Sequence, residues 1–313
     1  MGTPFSKIGI TYKSNARKKI MRHWQLYLVI LPPLIYLITF QYIPMFGAVI
    51  AFKDFNVMKG ILGSPWVGLK YFELFFNAPQ FWTIMKNTIG IGLYGLIVGF
   101  PAPILLALAL NELRAGIFKK TVQMATFAPY FISTVVMVSM IMIAFNPRIG
   151  FINGLITFFG FESVNFLGNA SYFWSIFVWT DVWQQTGYAS IIYLAALAGV
   201  HPELYEAAKV DGASRIQRMI NIDIPGLLPA AIIILILNMG NFMQIGFEKI
   251  FLLQNPLNMN AAEVIPTYVY KVGLLNANFS FGGAIGLFNS VINLVLLVTV
   301  NAIARKVSST SLW

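Results

Sequence analysis

Long apolar runs alternate with shorter polar breaks along this chain, and the runs are solid, without a strand-like alternation. A solid apolar run of about 20 residues crosses a bilayer as a helix, whereas a membrane barrel strand alternates with period two. Six runs are expected to cross, at about 26–46, 88–110, 122–145, 172–200, 227–247 and 283–303. The expected fold class is all-α: a polytopic membrane protein with six transmembrane helices and with N- and C-termini cytoplasmic. Segment 47–86 is too polar to span and too apolar for a disordered linker, so an ordered excursion on the outer face is expected. Pro101 and Pro103 should kink the second run, and Pro129 and Ser133 lie inside the third. Gly95 and Gly99 form a small-xxx-small pair that permits close helix approach.

The polar break between the fourth and fifth runs reads as structured. Pro202 suits the first position of a helix, and Glu203 sits in its first turn, where the dipole favours an anion. Ala207 and Ala208 are good helix formers with little bulk. Gly212 is the natural break, and 213–221 can form a second short helix that Pro225 should stop. Asp211 and Arg215 could pair at i, i+4 if the helix bends there instead of ending.

Glu206-Ala207-Ala208, three residues, Gly212, nine residues, Ile222, then Ile224 and Pro225 resembles the EAA loop of permease subunits of binding-protein-dependent ABC importers. Ile224 stands where that pattern has Leu, a volume-conserving exchange. The outer text is similar to sugar permeases of this class: 51–56 (Ala-Phe-Lys-Asp-Phe-Asn), 66–72 (Trp-Val-Gly-Leu-Lys-Tyr-Phe) and Asn87-Thr88. It is closest in wording to the LplB-like oligosaccharide permeases of Gram-positive bacteria. The resemblance runs from about Tyr42 to the C-terminus and implies an importer transmembrane domain over 24–313, after a basic cytoplasmic leader at 1–23. It implies that the loop at 201–225 couples to an ATPase through Glu206, Ala207, Ala208, Asp211, Gly212, Ala213, Arg215, Ile222 and Pro225. The partners it implies are a second homologous permease subunit, two cytoplasmic ATPase subunits and an extracellular lipid-anchored sugar-binding protein. The implied substrate is an oligosaccharide, plant cell-wall polysaccharide fragments included, and the implied location is the bacterial cytoplasmic membrane.

Composition agrees with a membrane protein: 58% hydrophobic, 10% charged, mean hydropathy +0.73. A soluble domain carries about 25% charged residues. There is no cysteine, and His23 and His201 lie far apart, so no metal site is expected. The net charge of +10 suggests nucleic acid only until the charges are assigned to sides. With six spans and an inner N-terminus, 14 of the 21 Lys and Arg fall inside and 7 outside, as the positive-inside rule requires. Nucleic acid is therefore discounted, and 201–225 is placed in the cytoplasm. The first run is too long for a signal peptide and lacks a small-residue cleavage site, while Trp24 and Tyr27 suit an interfacial anchor. No Gly-x-x-x-x-Gly-Lys-Ser/Thr string occurs, so the chain is expected not to be an enzyme and to carry no cofactor. ATP and magnesium are expected on the partner ATPase.

Polar side chains within the apolar runs are costly and usually face a cavity or a partner helix. Trp179, Asp181, Trp183 and Gln184 in the fourth run, Asn238, Asn241 and Gln244 in the fifth, and Asn289 and Asn293 in the sixth are candidates for a substrate pathway. Amides and a carboxylate suit sugar hydroxyls, and indoles suit the apolar faces of pyranose rings. The plainer reading is that such amides only join helices, at about 0.6 kcal/mol each. Two other functions compete: an ion-coupled secondary transporter with Asp181 as its ion site, or an ABC permease for a non-sugar substrate. A membrane enzyme would need clustered catalytic groups, and no His-Glu-x-x-His helix or carboxylate pair is present.

Overall fold

A computed structural model describes residues 23–307 and 311. Apart from His23, the basic leader lies outside the described residues. The chain divides into two compact units, 1–50 and 51–313.

In the first unit, α1 (Trp24–Leu37) continues through a π-turn at Ile38–Tyr42 toward a 3-10 turn at Phe46–Phe52. The helical stretch Trp24–Phe52 is long and apolar enough to cross a membrane.

The second unit is helical, and among the described residues the extended pairing is one isolated bridge between Lys53 and Trp66. Its principal helices are α2 (Phe81–Gly99), α3 (Pro101–Glu112), α4 (Ile117–Phe127), α5 (Thr134–Ala144) and α6 (Ala170–Ala198). These are followed by α7 (Pro202–Val210), α8 (Arg215–Arg218), α9 (Ile224–Gly240), α10 (Phe247–Leu253) and α11 (Phe279–Val307). Among the described residues, four helical stretches are long and apolar enough to span, or five if the bent pair α4–α5 counts as one. The fourth run forms α6, 29 residues long, and its polar centre around Asp181 lowers its hydropathy.

Three of the expected elements differ in detail. The third run is broken: a 3-10 turn at Ala128–Phe131 begins around Pro129, Ser133 caps α5 by accepting from Val136 N, and the two helices meet at 101°. Pro225 does not stop the second short helix. The helix runs unbroken from Arg215 to Gly240: a π-turn at Met219–Asp223, closed by Ile224 N donating back to Met219 O, leads directly into α9, and this wider turn carries the helix past the proline. The fifth run ends at Gly240, short of the expected 247: residues 241–246 leave the helix, and Phe247 starts α10.

Helix α6 is the central post. At one end Tyr193 and Leu197 pack with Ala107 and Leu108 of α3 and with Leu227 and Ala231 of α9. At the other end Phe173, Ile176 and Phe177 pack with Ile91 of α2, Met137 and Ile141 of α5, and Ile250 of α10. Gly187 lets α6 approach α4, since a Cβ there would overlap the Thr126 carbonyl oxygen. The close approach expected of Gly95 and Gly99 is different in kind: Gly95 faces open space and both glycines line a cavity. The excursion after residue 50 is ordered. Tyr71 Oη donates to Asp54 at 2.7 Å, and Ser280 Oγ donates to the Lys53 carbonyl at 2.6 Å while accepting from Phe55 N.

Candidate functional site

Two features stand out, an open cavity lined mainly by α2, α6 and α9 and the loop after α6. The cavity has a volume of about 560 Å³. Asp181, Gln185 and Tyr188 line it from α6, at i, i+4 and i+7. Asn238, Asn241 and Gln244 line it from α9 and the segment that follows. Tyr130, in the break between α4 and α5, stacks on Tyr188 with ring centroids 3.9 Å apart. Amides, hydroxyls and one carboxylate thus converge on a space with apolar and aromatic walls, the composition of a small-molecule site.

Asp181 is the one ionisable carboxylate on the cavity wall, and Lys249 Nζ on α10 stands 3.4 Å from it. The same ammonium lies over the Phe177 ring, 5.4 Å from its centroid. The pair removes net charge from the wall and leaves acceptor oxygens facing the cavity.

The other candidate residues lie elsewhere. Gln184 is buried and donates to the Ile132 carbonyl at 3.0 Å, so it ties α6 to the break before α5. Positions i+3 and i+4 from Asp181 are 100° apart on a helix, which puts Gln185 in the cavity and Gln184 in the packing. Trp179 and Trp183 sit two residues to either side of Asp181, on the opposite face of α6; both are exposed, and Trp179 Nε1 donates to Tyr94 Oη at 2.9 Å. Asn293 Oδ1 accepts from Met243 N at 2.9 Å, satisfying backbone that the end of α9 leaves without helical partners. Asn289 is buried one turn before it, away from the cavity. Gln185 is legible in the sequence as the i+4 partner of Asp181, and Tyr188 was findable as the next position of that stripe. Tyr130 and Lys249 belong to other elements and carry no local signal.

In the loop, α7 ends in a Schellman motif. Gly212 has φ 76°, its N–H donates to Lys209 O, and Ala213 N donates to Ala208 O at 2.8 Å. Ser214 then starts α8 with a capping box closed by Gln217. The helix ends at Val210 and does not bend, so the conditional Asp211–Arg215 pair is not among the ion pairs of the described residues. Glu206, Ala207, Asp211, Gly212, Arg215 and Pro225 are exposed, while Ala208, Ala213 and Ile222 are half-buried. Ile222 and Pro225, with Leu204 of α7, line a second cavity of about 370 Å³. Together α7 and α8 present a helix–Gly–helix surface with a small-residue face.

The family model for binding-protein-dependent transport system inner membrane components matches residues 99–309. The chain belongs to that family. The permease is 43% identical over 301 residues to the polygalacturonan/rhamnogalacturonan transport system permease protein YteP of Bacillus subtilis, covering 95% of this chain and 94% of that one. It is 40% identical to protein LplB of the same organism, covering 92% and 91%. Among solved structures it is similar to a chain of a bacterial alginate ABC transporter in complex with an alginate pentasaccharide-bound periplasmic protein. That match has a TM-score of 0.88 and 35% identity, and covers 94% of this permease and 99% of that chain. The permease is thus an ABC transporter subunit among relatives that transport sugars, and its relatives are transport permease components.

Proposed function

We propose that this permease forms part of the membrane path of a bacterial ABC importer that takes up oligosaccharides, plant cell-wall polysaccharide fragments among them, by ATP-driven alternating access. The observation that carries this reading is the exposed α7 with its alanine face, closed at Gly212 and continuous through α8 with a membrane-spanning helix. Such a helix can be gripped from outside the membrane and can pass the movement into the bundle. Glu206, Ala207, Ala208, Asp211, Gly212, Ala213, Arg215, Ile222 and Pro225 would form or shape that grip on an ATPase carrying ATP and magnesium. The oligosaccharide would pass Asp181, Gln185, Asn238, Asn241 and Gln244.

The assembly would contain a second homologous permease, two ATPase subunits and an extracellular lipid-anchored sugar-binding protein, the whole in the cytoplasmic membrane of a Gram-positive cell. The sugar named for YteP, its Bacillus source and the periplasmic protein in the alginate complex support this reading. In it, α6 is a sixth span, its 29 residues covering about 43 Å at 1.5 Å each, and both termini are cytoplasmic. The test is co-purification in detergent, then ATPase and uptake assays in proteoliposomes with candidate binding proteins and oligosaccharides. A second permease and an ATPase stimulated by loaded binding protein are expected. Purification alone, with transport under an ion gradient and without ATP, would overturn the proposal.

A further inference from the structure

Asp223 is completely buried where the π-turn Met219–Asp223 meets α9. Its Oδ1 accepts a hydrogen bond from the Tyr205 hydroxyl of α7 and a longer one, at 3.4 Å, from Asn111 Nδ2 of α3. Its Oδ2 has no hydrogen-bond partner. A carboxylate withdrawn from water is expensive unless hydrogen-bonded, so these two donors matter more than a surface bond would. Burial first, and then the bond to Asp223, push the Tyr205 hydroxyl up to about 12, so it remains a donor at any cellular pH.

The covalent path from α7 to α9 bears on this arrangement. It runs through the hydrogen-bonded left-handed cap at Gly212, at one end of α7. A joint at one end holds that end but leaves the rest of the helix leverage to swing about it. A second attachment, away from the joint, makes the two helices turn as one body. Tyr205 supplies that attachment from the middle of α7, reaching a residue 18 positions later in the chain. Asn111 extends it to the end of α3, the last turns of the second membrane-spanning stretch.

We infer that Tyr205 is a positioning residue for energy coupling: through Asp223 it fastens α7 to the α9 and α3 spans, so that displacement of α7 tilts both together. This rests on the reading of 201–225 as the ATPase-coupling loop. Asp223 and Asn111 belong to the same fastening, and neither is exposed where an ATPase would meet α7.

The experiment uses the whole importer in proteoliposomes, with uptake and ATP hydrolysis measured on the same preparation. Tyr205→Phe removes only the hydroxyl. It is expected to leave the ATPase bound and hydrolysing while uptake per ATP falls about tenfold, the effect of one hydrogen bond to a charged group. Asp223→Asn keeps an acceptor oxygen for Tyr205 and should retain most of the coupling, whereas Asp223→Leu should lose it. Unchanged uptake per ATP in Tyr205→Phe overturns the inference. So does a parallel loss of uptake, hydrolysis and bound ATPase, which would make Tyr205 a support for the fold of α7 alone. If the unsubstituted chain binds no ATPase, the proposed function itself fails, a result distinct from either.

Discussion

Lys249 and Asp181 form an ion pair whose two ends are unequally buried: the lysine side chain is 5% exposed and the aspartate 43%. The aspartate can be solvated from the cavity, while the ammonium has little other than the carboxylate and the Phe177 ring. Breaking a buried pair is costly because of the charge left behind. Asp181→Ala should therefore destabilise the protein by about 2–3 kcal/mol, below the range for a fully buried pair. Lys249→Met, which leaves only the solvated partner, should cost less than about 1 kcal/mol. Thermal unfolding in detergent, followed by tryptophan fluorescence, would show the asymmetry; equal losses would contradict it.

The cavity amides and the packing amide should separate in kinetics. Asn238→Leu and Gln185→Leu remove exposed groups that line the cavity and whose side chains make no hydrogen bond among the described residues. Each is expected to raise the KM for oligosaccharide uptake about tenfold with little change in unfolding temperature. Gln184→Leu strips the Ile132 carbonyl of its donor, so stability should fall by about 1–3 kcal/mol while the KM of the folded fraction stays put.

Close approach of α6 to α4 depends on Gly187. Gly187→Ala forces its methyl group onto backbone at Thr126, which cannot rotate away as a side chain could. The expected cost is about 1–3 kcal/mol, visible as a lower unfolding temperature and a lower yield of folded protein. Gly95→Ala, which meets open space, should leave both unchanged.

On α7, bulk should act on the interface and not on the fold. Ala207 is exposed, so Ala207→Trp should leave the unfolding temperature unchanged and reduce the ATPase retained on co-purification. Gly212→Val adds about 1 kcal/mol of backbone strain, because a β-branched residue disfavours positive φ. Binding of the ATPase should weaken in both variants.

The Tyr205 hydroxyl sets a pH limit at the alkaline end. Its value is raised from 10.0 to about 12 by burial and by its bond to Asp223, with Glu112 adding in the same direction and Asn111 opposing. The folded state thus favours the protonated phenol. Its contribution is fully present below pH 10 and is lost as pH rises from 10 through about 12. Stability on account of this group should be flat from pH 6 to about 9, and Tyr205→Phe should remove part of the decline above pH 10.

Much was legible before any coordinates because the evidence was local. Apolar run lengths gave an all-helical membrane chain. The Gly212 break was readable because that residue type at that spacing has one cheap backbone solution, the left-handed C-terminal cap seen there. In the sequence, Pro129 and Ser133 read as part of one span. In the structure they end one helix and start another, since a buried ring without an N–H and a good N-cap four residues on favour a corner. Pro225 misled in the opposite direction because a π-turn, a rare local choice, absorbed it.

By itself the amino-acid sequence determined the all-helical membrane class of the protein, the helix–Gly–helix form of the loop after α6 and the apolar segments, all of which follow from periodicity and short-range backbone chemistry. Only the tertiary structure decided which polar side chains share a space. Asp181, Gln185 and Tyr188 meet Asn238, Asn241 and Tyr130 around the cavity, while Gln184 and Asn293 are used up in satisfying backbone carbonyl and N–H groups. Lys249 reaches Asp181 across 68 residues, and Tyr205 reaches Asp223 through a turn. Such pairings depend on how helices rotate and approach one another, which is set by packing at contacts such as Gly187 with Thr126, and no window of neighbouring residues contains that information.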